Sequence, residues 1–154
     1  MTFRFRGLSV APFTPLFDLS DAELARRDMR RMIADAKPGF PCRVSLEDAE
    51  PGERVLLVSY AHQPAHSPYK ASGPIFVREA ARESFDDTKV PEVLRNRLLS
   101  ARAYDANDLI MDAEVGDGNE IEALLEKLFA RTDAAYAHIH NARRGCYACC
   151  VERA

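Results

Sequence analysis

The residues best equipped for chemistry crowd the end of this chain. It has four histidines and four cysteines, and two of the histidines and three of the cysteines lie between His138 and Cys150. The run reads His138-Ile139-His140-Asn141-Ala142-Arg143-Arg144-Gly145-Cys146-Tyr147-Ala148-Cys149-Cys150. Imidazoles and thiols ligate transition metals, carry protons near neutral pH and act as nucleophiles. Alternate side chains of an extended strand share a face. Tyr136, His138 and His140 therefore share one face, and Ala135, Ala137 and Ile139 the other. Arg143-Arg144-Gly145 suits a three-residue hairpin loop with Gly145 in the left-handed region. That register sets His140 opposite Ala148 and His138 opposite Cys150. A two-residue loop at Arg143-Arg144 sets Cys149 opposite His138 instead. In either register a thiol faces an imidazole.

Three chemistries suit this hairpin. The first is a histidine pair, His138 and His140, that contacts a ligand or works as acid and base. The second is a thiol, Cys149 or Cys150, activated by its histidine neighbour. The third is zinc, since Cys146-x-x-Cys149 has zinc-ligand spacing and two histidines one residue apart can share an ion. An extended strand sends Cys146 and Cys149 to opposite faces, however, so no metal ligand set is assigned. Against all three stands the plain alternative of small cysteines filling a buried strand, with hydrogen-bonded histidines beside them.

The other two histidines lie in a polar segment, His62 to Gly73, read as a loop between strands. Connections of about a dozen residues are often functional. This one can present His62, His66, Tyr69 and Ser72 to a pocket, stiffened by Pro64 and Pro68. Lys70 and Gly73 would suit an anion. If the segment reaches the C-terminal histidines, the histidines converge on one site.

The elements that must position these groups follow from patterning. Phe3 and Phe5 alternate with Arg4 and Arg6, a half-buried opening strand. Ser20 and Glu23 form a capping box, with Leu19 and Leu24 as its staple. Leu24, Ala25, Met29, Met32, Ile33 and Ala36 at helical spacing predict a helix that Pro38-Gly39 ends. Its arginines, Arg26, Arg27, Arg30 and Arg31, read as a solvated face. Strands are expected over residues 42–46, 54–61 and 75–78, with a short helix from Pro91 to Arg97. A hairpin follows over 98–104 and 109–115. Ile121, Leu124, Leu125, Leu128 and Phe129 mark a second helix, about Glu120 to Arg131. The last hairpin spans about 134–141 and 146–152.

Residues 1–154 are thus read as a single α+β domain. It has a mainly antiparallel sheet, two principal helices and a C-terminal β-hairpin. A net charge of −3 gives no reason to expect nucleic acid or a membrane as partner. No apolar run approaches the roughly 20 residues of a membrane helix. The basic N-terminus lacks the apolar stretch of a secretory signal, so the cytosol is the expected compartment and the cysteines are expected as thiols. No P-loop, dinucleotide fingerprint, H-E-x-x-H or G-x-S-x-G motif is present.

Several blocks are similar to one bacterial family. They are Pro41-Cys42-Arg43, Glu53-Arg54-Val55-Leu56-Leu57, Ser67-Pro68-Tyr69, Ser72-Gly73-Pro74-Ile75-Phe76-Val77-Arg78, and His138-Ile139-His140-Asn141-Ala142 with Gly145-Cys146. Together they resemble the domain-of-unknown-function family DUF1203, over nearly the whole chain. The resemblance implies a bacterial, single-domain protein and brings no activity, substrate or cofactor. It favours His138, His140 and Cys146 over the Cys149-Cys150 pair.

The expectation is therefore a small-ligand-binding domain or enzyme. His138 and His140 are its catalytic candidates. His62, His66, Tyr69, Ser72, Asn141 and Cys146 are its ligand-binding candidates. The cofactor is unknown, and the partner is a small molecule. The alternative is a non-catalytic interaction module, with a homodimer as its simplest form, and the third reading is a zinc-binding protein.

Overall fold

Two antiparallel sheets build the protein, and the computed structural model describes residues 1–154. The larger sheet contains β1 (Phe3–Arg6), β5 (Asp86–Asp87), β6 (Leu98–Tyr104), β7 (Ile110–Asp117), β8 (Tyr136–Asn141) and β9 (Tyr147–Arg153), in the order β5-β1-β9-β8-β6-β7. The smaller contains β2 (Arg30–Ile33), β3 (Arg54–Gln63) and β4 (Ala71–Arg78), in the order β2-β3-β4. The helices are α1 (Asp21–Arg26), α2 (Glu92–Arg95) and α3 (Ile121–Phe129). The α+β class and the C-terminal hairpin stand as expected.

α3 covers one face of the larger sheet. Its buried stripe, Ile121, Leu125, Leu128 and Phe129, packs on Ala101 and Ala103 of β6, Ala137 and Ile139 of β8, and Cys149 and Val151 of β9. Alanines on β6 and β8 leave room for the larger helix side chains, and each buried Leu contributes about 1.5–3 kcal/mol. The alternation that buries these residues turns their neighbours outward. Ser100, Arg102 and Tyr104 on β6 and Tyr136, His138 and His140 on β8 lie on the opposite face, paired in register. A second core, with Phe13, Leu24, Val44, Leu56, Val58, Ile75 and Val77, supports the smaller sheet.

Residues 42–44 tie the sheets together. Cys42 bridges Phe76 of β4, the Leu8 amide donates to the Arg43 carbonyl at 2.7 Å, and the Phe85 amide donates to Val44 at 2.8 Å. Gly7 is required at this junction, since a Cβ there would lie 2.1 Å from the Val44 carbonyl oxygen. The strand expected over 42–46 is therefore a bridging turn, with Leu46 at φ +51°.

Other expectations need correction. The capping box is present at Ser20 and Glu23, but the helix ends at Arg26. Asp28 adopts φ +56°, and Arg30–Ile33 pairs with Arg54–Leu57 as a strand. An unpaired sheet edge overrode the helical spacing, as tertiary context often does. The polar segment 62–73 is also strand at both ends. β3 runs on through His62 and Gln63, and β4 begins at Ala71. Only residues 64–70 connect them.

Candidate functional site

The site forms where β3 meets the outward face of β8 and β9. Leu56, Val58, Tyr60 and His62 occupy alternate positions on β3, so the strand that buries Leu56 and Val58 carries His62 inward at its far end. Its ring stacks on Tyr147, with centroids 5.3 Å apart and planes 9° from parallel. It also meets His140 edge-on at 5.3 Å. Across β8, His138 packs against Tyr104 and Tyr147, each at 5.1 Å. One donor nitrogen from each of His62, His138 and His140 lies within 4.8 Å of the other two.

A β-bulge in β9 makes this face possible. His138 pairs with Cys150 and His140 with Tyr147, so β9 spends one residue more than β8 over the same span. The expected three-residue register is correct at His138 and wrong at His140, which faces Tyr147 and not Ala148. The extra residue keeps Tyr147 among the imidazoles while Cys149 points into the helix-side core. Gly145 takes the expected left-handed conformation at φ +81°.

The imidazoles are neutral, and each has one buried nitrogen without a partner. His140 Nδ1 lies 2.9 Å from the Gly145 carbonyl oxygen. A carbonyl only accepts, so Nδ1 carries the proton and Nε2 keeps a bare lone pair. That Nε2, together with His62 Nδ1 and His138 Nδ1, is buried without a hydrogen-bond partner; Asn141 Oδ1 is the one other such side-chain atom in the chain. Buried polar atoms are nearly always satisfied, so each of these three nitrogens is free to take a hydrogen bond or a metal ion. Burial pushes His138 down to about 3, helped by its histidine neighbours and Arg102. Burial likewise pushes His140 down to about 4, with the Gly145 bond opposing the shift. His62 is lowered by burial and by Arg102.

Of the sequence candidates, His62, His138 and His140 come together. His66 and Ser72 are exposed, outside the cluster. Tyr69 is 40% exposed and touches only the rim, edge-on to Tyr104 at 6.2 Å. Gly73 packs beside the His62 ring, where a Cβ would lie 3.7 Å from Nε2, in ordinary van der Waals contact. Asn141 and Cys146 line a different cavity, of about 530 Å³, with Arg43 and Arg97. There the fully buried Arg43 donates to the Tyr147 carbonyl at 2.8 Å, to the Pro41 carbonyl at 2.5 Å and to Cys146 Sγ at 3.1 Å. The activated-thiol reading fails for Cys149 and Cys150. Burial pushes the Cys149 thiol far up and the Cys150 thiol up to about 12, and neither joins the imidazole cluster.

Residues not foreseen are Arg102, Tyr104, Gln63 and Tyr147. Buried Gln63 donates to Tyr136 Oη at 2.9 Å, and Tyr136 donates to Asp108 at 2.7 Å, which fences one end of the cluster. The signal for Arg102 and Tyr104 was the alternation Ser100-Ala101-Arg102-Ala103-Tyr104. One face is small and apolar, the other polar and in register with the histidines.

Fold and site thus define an α+β protein with a histidine cluster between two sheets. The chain belongs to the family described as "Protein of unknown function (DUF1203)", whose model matches residues 39–153. That span includes every residue of the cluster. No curated protein and no solved structure matches the chain.

Proposed function

We propose that the histidine-lined site holds one divalent transition-metal ion, zinc or a similar ion, and presents it to a small molecule. Three histidines carry the reading: one ligating nitrogen of each lies within 4.8 Å of those of the other two, and each ring has one buried nitrogen without a hydrogen-bond partner. Neutral imidazole is the form that ligates metal, and low proton affinity removes the competitor. The His140 Nδ1–H bond to Gly145 matches the outer-shell bond that fixes ligating histidines. Zinc at 2.0–2.1 Å needs donors about 3.4 Å apart. The longest allowed separation here then closes by about 1.4 Å, within reach of ring rotation.

Three protein ligands without a fourth favour an open site over a closed structural one. Cys150, the nearest thiol in register, stands outside the cluster. Acid–base catalysis by the histidines alone is the weaker reading, because groups depressed to about 3 and 4 are poor proton donors and acceptors near neutrality. Four free cysteines suit a cytoplasmic setting. No helix is long and apolar enough to cross a membrane.

The test is reconstitution of chelator-stripped protein with zinc, followed by elemental analysis after desalting. About one equivalent per chain is expected. His62→Ala, His138→Phe and His140→Phe, checked for native circular dichroism, should each lose it. Folded wild-type protein that retains neither zinc, cobalt nor nickel overturns the proposal.

A further inference from the structure

Arg102 is the cation whose situation the metal site alone does not explain. It lies directly across from His138 in the β6–β8 ladder, on the outward face, and is half-buried. Its β6 neighbour on that face, Ser100, lies across from His140, so the guanidinium shares the face of both β8 histidines. Its one hydrogen bond runs from Nε to Ser100 Oγ at 3.4 Å. No acid pairs with it. The other half-buried arginines of the smaller sheet and its surroundings are all matched: Arg31 by Glu79 and Asp21, Arg78 by Glu53 and Glu47, Arg97 by Asp48. Arg102 therefore keeps both terminal nitrogens free beside a cluster that contains no carboxylate.

Charge arithmetic then selects the ligand. Three neutral imidazoles around a divalent ion leave its charge uncancelled, and the guanidinium adds a further positive charge in a partly buried space. An anion relieves both at once. Ala113 and Val115, the β7 partners of Arg102 and Ser100, are exposed, so the β7 side of this face meets solvent. Resting on the metal reading above, we propose that Arg102 and the ion together receive a small oxyanion, the carboxylate or phosphate group of the ligand. One oxygen binds the metal and a second accepts from the guanidinium fork, the geometry in which arginine holds such groups.

Cobalt-loaded protein tests this by visible absorption, with inorganic phosphate and acetate titrated separately. Saturable changes in the cobalt bands are expected with at least one of the two, and the stronger binder identifies the class. Arg102→Gln should weaken that anion about tenfold or more and leave cobalt uptake equal or tighter, with Arg102→Lys recovering part of the anion affinity. Cobalt uptake with bands insensitive to both anions, or equal anion affinity in wild type and Arg102→Gln, overturns this inference alone. Failure to take up cobalt, zinc or nickel overturns the metal reading and this one with it.

Discussion

His138, His140 and His62 show how far single residues carry function. The shared face of His138 and His140 follows from strand alternation and was legible from sequence. That His62 joins them was a contingency of tertiary structure, decided by β3 running on past Ala61. Polar content made the segment look like a loop, yet the pairing of Tyr60 with Gly73 and of Gln63 with Ala71 holds His62 in β3. The thiols sort by environment in the same way. Cys149 is fully buried and Cys150 half-buried, and both are held protonated by burial. Native protein should therefore resist alkylation at both at neutral pH, and Cys149→Ser with Cys150→Ser should leave metal stoichiometry unchanged. Peptide mapping after iodoacetamide, with zinc analysis of the double variant, checks both. Rapid native labelling of Cys149 or Cys150 would contradict their assignment as packing residues.

Elements decide what the residues can do together. The bulge in β9 places Tyr147, not Ala148, across from His140, and loop-length reasoning could not find it because both registers close the same turn. α3 was legible because its five apolar residues repeat at helical spacing and face the sheet. The longer helix expected after Ser20 failed because Arg30–Ile33 gained a ladder with β3, a partner far off in sequence. Gly7 marks the tightest junction between elements. Gly7→Ala forces a methyl to 2.1 Å from the Val44 carbonyl, so strand β1 or the 42–44 bridge must shift. A loss of about 1–3 kcal/mol is expected by analogy with overpacked sites, measured by urea denaturation. Wild-type stability in that variant would refute the junction as described.

At the scale of the molecule, the buried histidines make stability depend on pH in the absence of metal. Both fold with proton affinities depressed, to about 3 for His138 and about 4 for His140, against about 6.5 in an unfolded chain. Between about pH 6.5 and 4 the unfolded state binds protons that the folded state refuses. Stability is therefore complete above that window and falls as pH falls through it, by up to about 1.4 kcal/mol per pH unit for each histidine. Urea midpoints of chelator-treated protein from pH 7 to 4.5 should show this slope, and His138→Phe with His140→Phe should flatten it. Equal slopes in the two proteins would mean that carboxylates, not these histidines, set acid stability.

The siting of His62 on one sheet and of His138 and His140 on the other has a kinetic meaning. On the metal reading, an ion held by all three would cross-link the two sheets, so that its binding would stabilise the packing of the β3–β4 hairpin against β8 and β9 and slow the separation of the sheets.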